Sequence, residues 1–136
     1  MPSRHLLPWF PSERLRKNAA LILTFALSVT IGLLTLLPIS PLIDVPGNDK
    51  THHLIAFAAL TFPSALLYRR ALIWVLPAAL IYGIAIELIQ PYVGRHGERA
   101  DFYADAIGVL IGVALGVLLN VILIQPLAKK YKRSEA

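Results

Sequence analysis

Residues 106–124 read AIGVLIGVALGVLLNVILI, a run without one ionisable side chain and with glycine at 108, 112 and 116. A helix that crosses the hydrocarbon core of a bilayer needs about 20 mainly apolar residues, with a usual range of about 17 to 25. This run meets that length. Working outward from it, residues 18–37, 54–67 and 71–89 are also free of ionised side chains, Glu87 excepted, and the charges cluster between the runs. The run at 54–67 is short unless the polar turn from Asp49 to His53 belongs to the same helix, which would place that turn at membrane depth. The expected fold is therefore all-α: a polytopic membrane protein of four transmembrane helices in a compact bundle. Its spans fall at about 18–37, 50–68, 71–90 and 103–124, inside a domain of residues 18–125.

Composition agrees with lipid as the solvent. The chain of 136 residues is 57% hydrophobic with a mean hydropathy of +0.65, above the apolar share of ordinary soluble domains. A water-soluble helical protein would need polar surface to cover four such runs, and this chain has too little. Absence of cysteine excludes disulfides, thiolate metal sites and cysteine nucleophiles. The first run exceeds the usual signal-peptide core of about 7–15 residues and lacks a small-x-small cleavage site, so it reads as an uncleaved span.

Charge sets the expected orientation. Ten of the thirteen basic residues lie before the first run (Arg4, Arg14, Arg16, Lys17), between the second and third (Arg69, Arg70), or after the fourth (Lys129, Lys130, Lys132, Arg133). The other side holds Lys50, Arg95 and Arg99 with six of the eight acids: Asp44, Asp49, Glu87, Glu98, Asp101 and Asp105. By the positive-inside rule both termini are cytoplasmic and the acidic loops face outward, in the inner (cytoplasmic) membrane of the cell. Residues 1–17 form a cytoplasmic or interfacial segment with Trp9 and Phe10 among headgroups, and 126–136 a basic cytoplasmic tail. Pro38, Pro41 and Pro46 make the first outer loop extended. The net charge of +5 thus reports topology and attraction to anionic membrane lipid, and no nucleic-acid partner is expected.

Helical spacing then gathers the polar residues onto inward faces. Asp49, His53, Ala56 and Leu60 share a stripe on the second helix; Gly83, Glu87 and Gln90 share one on the third; Asp101, Asp105, Gly108 and Gly112 share one on the fourth. Glycines four apart let helix backbones approach closely, so the ridge of Gly108, Gly112 and Gly116 faces the bundle interior or supports homo-oligomer contacts. An intramembrane acid such as Glu87 needs a partner or a proton, and marks a functional site by default. The candidate catalytic residues are Glu87, His53 and Asp101; the candidate ligand-binding residues are Asp49, Lys50, Gln90, Arg95 and Asp105.

For several of these, two readings stand. Asp49 orients His53 as a general base, or merely caps the second helix while His53 packs. Glu87 and Gln90 grip a substrate, or hydrogen-bond Arg95 and lock the bundle. Arg95 binds a phosphate or carboxylate through its planar fork, or pairs with Glu98 in solvent. Asp101 belongs to the site, or caps the fourth helix. A metal set drawn from His53, Glu87, Asp101 and Asp105 lacks HExxH or comparable spacing, so no metal or cofactor is assigned.

The ordered motifs Asp49-Lys50-x-x-His53-x-x-Ala56-Phe57, Tyr82-Gly83-x-x-x-Glu87-x-x-Gln90, Arg95, and Asp101-x-x-Ala104-Asp105-x-x-Gly108 resemble those of the VanZ-like family of small membrane proteins. The match covers about residues 49–116, with one departure: Asp105 stands where the family usually has Asn. The resemblance implies a membrane fold in the cell envelope and, from the namesake, reduced susceptibility to the lipid-tailed glycopeptide teicoplanin. It implies no reaction. Three functions follow as expectations. The outward polar site binds a lipid-linked envelope component or amphiphilic antibiotic; or it is an enzyme using Glu87 or His53 as acid or base with Arg95 on an anionic headgroup; or the bundle is structural and binds partners.

Overall fold

The structure, a computed structural model, describes residues 10–37 and 48–135. Every regular element among the described residues is helical. Trp9 and the rest of the N-terminal segment before Phe10, and the loop containing Pro38, Pro41, Asp44 and Pro46, lie outside them.

Helix α1 (Glu13–Leu36) begins before the apolar run because Ser12 caps it, its side chain accepting from the Leu15 amide at 3.2 Å, and Glu13 adds favourable charge to the first turn. Helix α2 (Asp49–Leu67) includes the polar turn. Its cap is Asn48, whose Oδ1 accepts from the Thr51 amide at 2.8 Å, so Asp49 is a first-turn residue and not the cap. Helix α3 (Leu72–Ile89) lies between 3₁₀ turns at Arg69–Ala71 and Gln90–Val93. The second turn closes on Gly94, whose φ of 78° suits a residue without Cβ. Helix α4 (Arg99–Leu119) continues through a π-helical turn (Asn120–Ile124) into α5 (Gln125–Glu135), so the basic tail is helical. Asp101 does not cap α4 either: Glu98 occupies the cap position, and no side chain there accepts a first-turn amide.

Among the described residues, three helical stretches are long and apolar enough to cross a membrane: Glu13–Leu36, Arg69–Val93 and Arg99–Arg133. Helix α2 is not among them, because its polar first turn, Asp49 to His53, lowers its mean hydropathy. It is the central helix, packed against the other three, and its buried residues include His53, Thr61 and Ser64 beside Phe57, Leu60 and Ala65. By contrast α3 buries only Ala79, Gly83 and Ile86 and exposes Ile73, Trp74, Ile81 and Leu88. Buried His53, Thr61, Ser64, Gln90, Asp101, Asp105 and Asn120 inside an apolar exterior invert the pattern of a water-soluble domain.

The seam between α2 and α4 is built by the glycine ridge. A Cβ on Gly108 would stand 2.3 Å from the Leu54 carbonyl oxygen, and one on Gly112 would stand 2.1 Å from that of Ala58. The ridge therefore packs against α2 of the same chain. Close approach also brings polar groups into reach across helices. Thr61 Oγ1 donates to the Val109 carbonyl at 3.3 Å, Asn120 Nδ2 to that of Leu66 at 2.6 Å, and the Tyr82 hydroxyl to that of Ser28 at 2.6 Å.

The two charge populations occupy opposite ends of the bundle. At one end the Phe10 ring meets Tyr131, Arg16 lies over Phe10, Lys17 lies over Tyr68, and Arg70 approaches Glu13 at 3.5 Å. The acids of α2, α3 and α4 gather at the other.

Candidate functional site

At the acidic end three inward stripes converge. His53, one turn into α2, has its Nδ1 2.9 Å from Asp105 Oδ1 of α4 and 3.9 Å from Glu87 Oε1 of α3. The α2–α4 seam sets the first distance, because Gly108 lets the turn carrying Asp105 approach the turn carrying His53 and Leu54. Gly83 sets the space on the third side. A Cβ there would fall 2.8 Å from Asp105 Oδ2 and 3.4 Å from the Phe57 ring.

The loop after α3 folds back over this cluster. Gly97 lies so close to the end of α3 that a Cβ would stand 2.3 Å from the Glu87 carbonyl oxygen and 3.4 Å from Glu87 Oε2. Lys50 reaches the same loop, its Nζ 3.0 Å from Glu98 Oε2 and 3.8 Å from Asp101 Oδ1. Asp101 is buried beneath that contact.

Among the described residues, several oxygens in this interior lack a side-chain hydrogen-bond partner: both of Glu87, Oδ2 of Asp105, Oδ1 of Asp101 and Oε1 of Gln90. Burial without a partner is costly for such atoms, so the cluster has unspent capacity to accept hydrogen bonds or to coordinate a cation. Two sets place their ligand atoms within 4.8 Å of one another: His53, Glu87 and Asp105, and Asp49, His53 and Asp101, the second with exposed Asp49 at its edge.

Glu87 also opens sideways. A cleft of about 330 Å³ lies between α3 and α4, lined by Glu87 and the exposed residues Gly97, Glu98 and Arg99 on its polar side and by Ile84, Leu88, Phe102 and Tyr103 on its apolar side. Leu88 and Tyr103 are mostly exposed, at 66% and 65%, so the mouth opens on the face that lipid would cover.

Of the residues singled out from sequence, His53, Glu87, Asp101 and Asp105 come together, Lys50 reaches their rim and Gln90 is buried one turn beyond Glu87. Arg95 does not join them. Its Nη1 donates to the Leu34 carbonyl at 3.1 Å, tying the loop to the last turns of α1, while Glu98 pairs with Lys50. Neither Glu87 nor Gln90 Oε1 hydrogen-bonds an arginine. Sequence reasoning did not single out Gly97, Arg99, Phe102 or Tyr103 as lining a site. Their common signal was position: all lie within one helical turn of the acidic loop, but helical spacing alone did not show that they line a cleft.

Among the described residues, fold and site together define an all-helical protein, with three stretches long and apolar enough to cross a membrane and an acid–histidine cluster at one end. No family model, curated protein or solved structure matches it, so the VanZ-like resemblance rests on the four motifs alone.

Proposed function

We propose that this chain is a four-helix bundle of the VanZ-like type in the cytoplasmic membrane, with both termini cytoplasmic, and that its acidic end receives the polar group of an amphiphile from the outer leaflet. The observation that carries this reading is Glu87: a carboxylate without a side-chain hydrogen-bond partner, lining a cleft whose mouth is apolar and exposed. An amphiphile enters such a cleft along the bilayer plane, its chain against Leu88 and Tyr103 and its headgroup donors toward Glu87. The segregation of basic residues at the opposite end supports the orientation.

Size narrows the ligand. At about 330 Å³ the cleft is at the low end of ligand pockets, roughly 300–1,000 Å³, and suits a lipid headgroup or part of a tail. A lipid-linked envelope component fits better than a whole glycopeptide; an effect on teicoplanin would run through that antibiotic's lipid tail. A second reading, chemistry on the bound headgroup, is favoured by the Asp105–His53 contact at 2.9 Å, which fixes the imidazole beside Glu87. In that case Glu87 exchanges the proton, and Arg95, held on Leu34, takes no part.

Native mass spectrometry of protein extracted with its own lipids tests the binding reading. Wild type should retain a defined amphiphile; Glu87→Gln should lose it at matched helicity, and Leu88→Trp should reduce it by filling the mouth without touching a carboxylate. Retention unchanged in both variants, or no amphiphile on wild type, refutes the cleft as a binding site.

A further inference from the structure

We infer that His53, Glu87 and Asp105 form a binding site for one divalent transition-metal cation of the zinc or manganese class. The inference does not rest on the amphiphile reading, because the three ligands would hold the ion with the cleft empty.

Geometry is the first support. These side chains come from three different helices, and one ligand atom from each lies within 4.8 Å of the others. Metal–ligand bonds of about 2.0–2.2 Å put adjacent ligand atoms about 2.8–3.1 Å apart in octahedral geometry and about 3.3–3.6 Å apart in tetrahedral geometry. Asp105 Oδ1 and His53 Nδ1 stand at 2.9 Å in a hydrogen bond whose proton the ion would replace, and Glu87 Oε1, at 3.9 Å from the same nitrogen, needs to close by about 1 Å or less.

Unsatisfied atoms are the second support. Asp105 is fully buried yet its Oδ2 has no hydrogen-bond partner, and neither oxygen of Glu87 has a side-chain one. The space beside Oδ2 exists because position 83 is glycine, since a Cβ there would take it. Lys50 does not fill the role, for its contacts are with Glu98 and Asp101.

Charge is the third. Two carboxylates, one neutral imidazole and a divalent cation sum to zero, the least costly state for a cluster buried among apolar helices. One nitrogen and two carboxylate oxygens form a mixed donor set that suits zinc or manganese, whereas calcium prefers oxygen ligands throughout. Binding releases any proton that the ligand atoms carried.

The test uses chelator-treated full-length protein in detergent, titrated separately with zinc and manganese chlorides. Expected are one tightly bound ion per chain by elemental analysis, a saturable rise in melting temperature, and an X-ray absorption spectrum with nitrogen and oxygen but no sulfur neighbours. Asp105→Asn and Glu87→Gln should each weaken binding at least tenfold at unchanged helicity, while Asp49→Asn, in the outer set, and Leu88→Trp, at the cleft mouth, should leave it intact. Failure of wild type to bind either metal stoichiometrically overturns the proposal whether or not the variants fold. Binding that survives Asp105→Asn and Glu87→Gln, or is lost with Asp49→Asn alone, overturns it equally. Because Leu88→Trp should disturb lipid retention and not metal binding, loss of one reading is separable from loss of the other.

Discussion

Replacing Gly112 by alanine tests the seam on which the whole site depends. The added Cβ would lie 2.1 Å from the Ala58 carbonyl oxygen, 2.9 Å from its carbon and 2.5 Å from Thr61 Oγ1. Two of these neighbours are backbone, so no rotamer change relieves them. Restoring ordinary contact near 3.5 Å forces α2 and α4 apart locally by more than about 1 Å. Overpacking of this kind costs about 1–3 kcal/mol. Loosening the Thr61–Val109 hydrogen bond adds about 0.6 kcal/mol on the average measured inside membranes. Alanine's advantage in helix propensity, about 1 kcal/mol or less, offsets part of this, and less still where the unfolded reference stays helical in lipid. The net expectation is a loss of about 1–3 kcal/mol. Equilibrium unfolding in mixed micelles, followed by circular dichroism, measures it. Gly32→Ala is the comparison: its Cβ would meet the Tyr82 hydroxyl, the far end of a side chain, and should cost less. A Gly112→Ala protein as stable as wild type, or less affected than Gly32→Ala, would refute the close-packed seam.

Two further substitutions separate interior glue from surface charge. Tyr82→Phe removes the 2.6 Å hydrogen bond to the Ser28 carbonyl but keeps the ring beside Phe57, and should cost about 0.6 kcal/mol and no more than about 1.7 in the same titration; a larger loss would mean that the hydroxyl does more than join α3 to α1. Lys50→Gln breaks a contact with Glu98 in which both side chains are about half exposed, so solvent and salt already screen it. Its melting temperature should match wild type within scatter, and a clear drop at low salt would show that Lys50 instead balances the buried acids.

Much of the acidic cluster is legible in the amino-acid sequence, because helical periodicity is local. His53, Glu87 and Asp105 have to face inward on their own helices, since each sits on a stripe with small or apolar residues and the remaining faces suit lipid. Arg95 shows where that reasoning ends. It occupies a loop, where no periodicity fixes direction, and its acidic neighbours in the chain suggest a carboxylate partner. The fold instead brings the last turns of α1 within reach, and the guanidinium takes a carbonyl there. The caps illustrate the same limit: Asp49 and Asp101 are favoured cap residues by type, but Asn48 and Glu98 occupy the cap positions.

By itself the sequence determined the helices, their apolar length, the charge difference between the two ends and the inward faces, because each follows from a short segment and the solvent around it. Only the tertiary structure decided that α2 is the central helix, that the glycine ridge packs against it, and that Glu87 borders both the buried cluster and a cleft at the bundle surface. Those facts depend on which backbones approach within a few ångströms of one another, and that is a property of pairs of segments distant in the chain.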